Sequence, residues 1–227
     1  MSTDPAREAA ARAAVERVEE GMTLGLGSGR AVWRTIELIA ERWPGRAPVR
    51  SAFASERTAA LAREHGIASV ELDGDPRLDL AIDGADEIDP RLGLIKGGGA
   101  ALLREKIVVA AAERFVVVAE ERKRVSRLGE TFKLPVEVVR FGWADTRNRV
   151  LELLPTAELR TDDDGEDVVT DEGHHLLDCE IPPGADPGRL ADALKATVGV
   201  VEHGLFLGMA DEVLLGRQDG SLEVLRP

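Results

Sequence analysis

Short apolar runs alternate with longer amphipathic stretches through the first 130 residues. Strand-like runs at 23–26, 49–54, 67–72, 78–82 and 115–119 are separated by helix-like segments at 31–43, 56–65 and 100–113. The opening residues MSTDPAREAAARAA read as the start of an amphipathic helix. This alternation predicts an α/β architecture, a mainly parallel sheet with helices on both faces. Ligands of such sheets bind beyond the carboxyl ends of the strands. The segments that follow the strand-like runs are rich in glycine and carboxylate, at 27–29, 83–86 and 96–99, and are expected to meet at one edge.

The pattern changes after residue 129. Strand-like pieces at 133–139, 157–160, 167–170 and 176–181 are interleaved with helices at 144–154 and 187–197. This β-α-β-β-α order predicts a small α+β subdomain of ferredoxin-like type. The runs at 200–207, 212–216 and 221–225 are expected to return to the main sheet. The expected organisation is a catalytic domain of residues 1–130 and 200–227 with a subdomain of residues 131–199. The acidic run 162–167, with Gly165 inside it, reads as a solvated hairpin tip.

Composition narrows the function classes. The chain of 227 residues is 44% hydrophobic and 31% charged, a soluble globular balance. No apolar run approaches the roughly 18 residues that span a bilayer, and no secretion signal is legible, so a cytoplasmic protein is expected. The formal net charge of −13 argues against nucleic acid or an anionic membrane as partner. A small anion held by backbone amides and a few cations is compatible with it. Cys179 is the single cysteine and reads as a core residue. The four histidines lack metal-ligand spacing, and neither a nucleophile elbow nor a Walker A loop is present. No metal and no cofactor is therefore expected.

The densest chemistry lies in segment 79–105, DLAIDGADEIDPRLGLIKGGGAALLRE. Asp83 and Asp86 end an apolar run, and Gly84 and Ala85 lie between them. They read either as local turn-forming carboxylates or as a pair that binds hydroxyls and moves protons between oxygens. Glu87 and Asp89 are expected to face solvent. Lys96 precedes Gly97, Gly98 and Gly99, whose amides can form an anion nest. Glu105 stands in an otherwise almost wholly apolar helix, with Ala101, Leu102, Val108 and Val109 as neighbours. Burying a carboxylate costs several kcal/mol unless it is paired or protonated. Glu105 is thus either salt-bridged or a general base whose pKa is set by burial and nearby charge. GLGSGR at 25–30 follows a strand and opens a helix, the setting for an anion on the amides of Ser28, Gly29, Arg30 and Ala31. It lacks the third glycine of a dinucleotide loop.

Taken in order, GLGSGRA, SAFASERTAALAREHGI, DGADEI, IKGGGAALLREKI, KLPVEV and VVEHGLFLGMADEVLLG resemble type A ribose-5-phosphate isomerases over most of the chain. The resemblance implies a Rossmann-like core with an inserted lid domain and interconversion of D-ribose 5-phosphate and D-ribulose 5-phosphate without a cofactor. It also implies that Glu105 is the proton acceptor and that Lys96 with its glycines lines the substrate site. Lys123 would contact substrate, and Arg7 would contact phosphate where relatives often carry lysine. Arg30 and Ala31 depart from the family's usual hydroxyl residues, and Ser28 stands where threonine is common. The expected partner is a sugar phosphate, and the expected assembly a homodimer or homotetramer. A sugar-phosphate sensor and another sugar-phosphate enzyme, such as a deaminase or lactonase, are the alternative readings. The sensor reading requires a DNA-binding segment for which the residues before the phosphate loop leave no room.

Overall fold

The computed structural model describes residues 4–74 and 77–227. In chain order its elements begin with α1 (Pro5–Val15), β1 (Thr23–Leu26), α2 (Arg30–Arg42), β2 (Arg50–Phe53), α3 (Glu56–Glu64) and β3 (Ala68–Ser69). Next come β4 (Leu80–Asp83), β5 (Glu87–Ile88), β6 (Leu94–Ile95), α4 (Leu102–Ala110), β7 (Phe115–Glu120) and β8 (Leu134–Val138). The remainder are α5 (Trp143–Val150), β9 (Glu158–Leu159), β10 (His175–Cys179), α6 (Pro187–Lys195), β11 (Val200–His203), β12 (Leu205–Phe206), β13 (Glu212–Gly216) and β14 (Leu222–Leu225). Two compact units result: Met1–Ala85, Arg104–Lys123 and Met209–Pro227 form the first, and Asp86–Leu103 with Arg124–Gly208 the second.

The first unit carries a seven-stranded sheet in the order β14-β13-β7-β4-β1-β2-β3. All neighbours are parallel except β13 and β14. From β1 the chain winds one way through β2 and β3 and the other way through β4, β7 and β13. The reversal between β1 and β4 is the switch point at which ligands of this fold class bind. Alternation along the strands decides which helix covers which face. Leu24, Leu26, Leu80, Ile82, Val116 and Val118 share a core with alanines of α1 and with Ile36 and Ile39 of α2. Gly25, between two of those leucines, faces the other way: a Cβ there would lie 2.5 Å from Val108 of α4. Helices therefore cover both faces, as the apolar pattern predicts. Local chemistry starts α1, where Pro5 follows Asp4, whose carboxylate caps the amides of Ala6 and Arg7.

The second unit holds an antiparallel sheet in the order β11-β8-β10-β9. With α5 and α6 in their chain positions, this is the ferredoxin-like arrangement. Leu134, Val136, Val138, Leu177 and Cys179 pack beneath Val150, Leu154, Leu190 and Leu194. Burial pushes the Cys179 thiol up to about 12. A separate three-stranded sheet, β12-β6-β5, belongs to the same unit.

The strands of that small sheet come from residues 87–95 and 205–206, which flank the antiparallel sheet in the chain. The sheet corrects two expectations. The run 200–207 does not return to the main sheet; only β13 and β14 do. Leu205 pairs with Ile95, and the Lys96 amide donates to the Gly204 carbonyl at 2.9 Å, which keeps this run with β6 and β8. Glu87 is fully buried and does not face solvent. Its carboxylate accepts from the amides of Gly129, Thr131 and Phe132 and from the Thr131 hydroxyl, at 2.5–2.8 Å. Residues 167–170 form isolated bridges where a strand was expected, and Asp162 closes the acidic tip by accepting from Asp164 and Glu166.

Candidate active site

In the first unit the predicted residues gather at the carboxyl ends of β1 and β4. Asp83 ends β4 and is 1% exposed. Its Oδ1 accepts from the amides of Gly84 at 2.7 Å and Ser28 at 3.2 Å. The approach depends on Gly27, because a Cβ at that position would fall 1.9 Å from the Asp83 carboxyl carbon. The glycine loop and the aspartate thus form one local structure at the switch point.

The loop then opens α2. Gly29 is its N-cap, at a φ of 101° that glycine adopts readily, and no side chain caps the helix. The first-turn amides of Arg30 and Ala31 are left for another acceptor, and the helix dipole favours an anion there. The Ser28 hydroxyl lies 3.0 Å from that of Ser55. Ser55 caps α3 through the Thr58 amide, and its hydroxyl also bonds Thr58 Oγ1, which accepts from the Trp33 indole at 3.0 Å. Ser55 was not singled out from sequence; its Ser-x-x-Thr spacing before a helix is the signal that would have drawn attention to it.

Glu105 lies in the first turn of α4 and is 5% exposed. It precedes Val108 by one turn, on the face that meets Gly25 of β1. Arg104 turns instead to Glu56, at 2.8 Å. Lys123 closes a 3₁₀ turn, Glu121–Lys123, after β7 and is half-buried. Arg7 pairs with Glu120, at the end of β7, at 2.7 Å. A phosphate contact by Arg7 would have to share the guanidinium with that carboxylate.

In the second unit Asp86, Lys96 and the glycines come together. The Asp86 amide donates to the Ile95 carbonyl at 2.8 Å, and Asp86 Oδ2 accepts from the Gly98 amide at 2.8 Å. Lys96 is 2% exposed, and its Nζ stands 5.5 Å from the Phe206 ring centroid. It is buried beside an aromatic face. Phe206 carried no signal in the sequence. Gly97 has a φ of 107°, and a side chain there would press on Leu102 and Pro135. Ala100, which donates to the Gly97 carbonyl at 3.1 Å, has a φ of 60°, a strained value for a residue with a Cβ. Among the described residues no group of three or more histidine, cysteine or acidic side chains is placed to hold a metal ion.

Comparison with known proteins gives the family. The model of the family described as ribose 5-phosphate isomerase A (phosphoriboisomerase A) matches residues 52–220. The ribose-5-phosphate isomerase A of Synechococcus sp. (strain JA-3-3Ab) is 48% identical, over 99% of this chain and 98% of its own. That of Roseiflexus sp. (strain RS-1) is 51% identical, over 97% and 96%. Among solved structures, the ribose 5-phosphate isomerase of Plasmodium falciparum superposes with a TM-score of 0.94 at 32% identity, covering 99% of each chain. A D-ribose-5-phosphate isomerase in complex with phospho-erythronic acid gives 0.92 at 34% identity, covering 100% of each. With a family model matched over most of its length and relatives near half identity end to end, the chain belongs to the ribose-5-phosphate isomerase A family.

Proposed function

We propose that Glu105, Asp83, Asp86 and Lys96 carry the reaction of this family in the present chain. The chain is an aldose–ketose isomerase that interconverts D-ribose 5-phosphate and D-ribulose 5-phosphate, a step of the non-oxidative pentose phosphate pathway. Glu105 removes the proton from C2 of the open-chain aldose and returns it to C1 of the resulting cis-enediolate. Asp83 and Asp86 assist ring opening and move the hydroxyl proton between O1 and O2. Lys96 stabilises the charge that develops on those oxygens, an effect worth about 3–4 kcal/mol for one preorganised donor.

Substrate binding divides between amides and cations. Ser28, Gly29, Arg30 and Ala31 at the uncapped start of α2 take the phosphate, with Lys123 and Arg7 as outlying cations. Gly84, Ala85, Gly97, Gly98 and Gly99 supply main chain close to the sugar. No metal and no cofactor takes part. The proposed assembly is a homodimer or homotetramer, which sedimentation would measure. No described helix is long and apolar enough to cross a membrane, and we place the enzyme in the cytoplasm.

The observation that carries the assignment is Glu105 itself, a carboxylate 5% exposed in the first turn of an apolar helix. Glu105→Gln keeps volume and hydrogen bonding but removes the base. General base catalysis contributes about 10²–10⁴-fold, so kcat should fall at least that far. A thermal melt and binding of a five-carbon sugar-phosphate inhibitor should be largely retained. Near-normal kcat would refute the assignment, and a collapsed melt would instead make Glu105 a structural salt-bridge partner.

A further inference from the structure

Arg160 follows β9 and is fixed by its own main chain. Its amide donates to the Leu176 carbonyl at 2.8 Å, and its carbonyl accepts from the Val168 amide at 3.0 Å. The guanidinium forks onto Asp178, Nε to Oδ2 at 2.9 Å and Nη2 to Oδ1 at 2.5 Å. Its remaining nitrogen, Nη1, donates to the Gly97 carbonyl at 2.7 Å and lies 3.5 Å from that of Gly98. The other edge of the Gly97–Gly98 peptide is its amide, which donates to Asp86 Oδ2 at 2.8 Å.

In a trans peptide the carbonyl and the N–H point in opposite directions. The Gly97–Gly98 peptide is therefore gripped at both edges, by a guanidinium at its oxygen and a carboxylate at its N–H. Glycines impose little restriction of their own on how that plane turns. A cation on the carbonyl also polarises the peptide and strengthens its N–H as a donor. A forked pair made only for structure needs two nitrogens and Asp178; the third nitrogen is spent on the glycine loop.

We propose that Arg160 is a positioning residue for the isomerisation, holding the Gly97–Gly98 peptide by its carbonyl so that the opposite amide fixes the carboxylate of Asp86. Asp178 in turn aims and balances the guanidinium. The inference rests on the role given to Asp86 above.

The test uses the full-length enzyme with ribose 5-phosphate. Arg160→Ala should lower kcat by about 10–100-fold, the effect of losing a charge-assisted hydrogen bond in the transition state, while KM moves less than about threefold. Its melting temperature should stay within a few degrees, and millimolar guanidinium ion should restore part of kcat. Arg160→Lys keeps the charge but cannot span Asp178 and Gly97 together, so it should fold and lose a similar factor. If Arg160→Ala does not fold, Arg160→Lys decides by the same criteria of kcat, KM and melting temperature. A kcat within twofold of the parent in a folded variant would overturn the proposal. So would a loss that tracks a fall in melting temperature and resists guanidinium rescue. Asp86→Asn separates the two readings. If it is near-normal, the role of Asp86 itself fails; if it is inactive beside a fully active Arg160→Ala, only the role of Arg160 fails.

Discussion

Asp83 and Asp86 stand three residues apart and are held by different means. Asp83 ends a central strand of a parallel sheet, and its amide donors come from the next residue and from the adjacent β1 loop. Regular structure does the positioning: two strands end side by side at the switch point, and one missing Cβ lets the carboxylate in. Asp86 belongs to a unit whose nearby strands are two residues long. Strands that short hold little by themselves. There the work falls to distant groups: Glu87 gathers the amides of Gly129, Thr131 and Phe132, and Arg160 reaches Gly97. A sheet end places a functional group through repetition, whereas a loop-rich unit needs a separate polar anchor for each one.

The comparison breaks first at Glu87. Glu87→Ala strands four donors around a buried site and should destabilise the second unit by about 3–5 kcal/mol. Cys179 reports on that unit alone, because its thiol, buried and pushed up to about 12, should resist alkylation near pH 8 in the native state. In the variant, the rate of iodoacetamide labelling should rise more than about 100-fold with the population of open molecules. Unchanged labelling would remove Glu87 as an anchor.

Gly27→Ala tests the other region. Its Cβ would overlap the Asp83 carboxyl group, and displacing a reacting group by about 1 Å can cost on the order of 10²-fold. A fall of that size in kcat/KM is expected. Gly99→Ala, with open space around its Cβ, should leave folding nearly unaffected. A kcat/KM within twofold of the parent in a folded Gly27→Ala enzyme would mean that Gly27 does not govern the approach of Asp83.

The smallest effect lies in the first unit but away from the catalytic groups. Glu212 of β13 takes Arg17 at 3.0 and 3.1 Å and Arg226 at 2.6 Å. Hydrogen bonding by Arg17 holds its carboxyl below the usual range. The folded pKa is depressed, so this stability is present above the unfolded value of about 4.5 and is lost as pH falls through the folded value. Glu212→Gln should cost about 1–2 kcal/mol at pH 7, converge with the parent in strong acid, and leave kcat unchanged. Melts at pH 7 and pH 3 beside a kcat measurement check this.

Much of the first region was legible. Strand alternation placed β1, β2, β4 and β7 within a few residues, and the glycine loop and Asp83 were expected at strand ends. The second region was legible in outline: the β-α-β-β-α order foretold the ferredoxin-like sheet, but β5 and β6 passed unnoticed. Glu87 was expected to face solvent because a carboxylate in an acidic turn normally does. Its burial depends on donors more than forty residues away in the chain.

By itself the sequence determined the elements with a period, the glycines that permit close approach, and the family signature, because each is written in neighbouring residues. Only the tertiary structure decided that β1 and β4 are adjacent, that run 200–207 stays with β6 and β8, and that Lys96 is buried against Phe206. It also decided that Arg160 meets Gly97 from 63 positions away. Such contacts are fixed by the packing of whole elements, and no periodicity or local spacing encodes which distant donor will find which carbonyl.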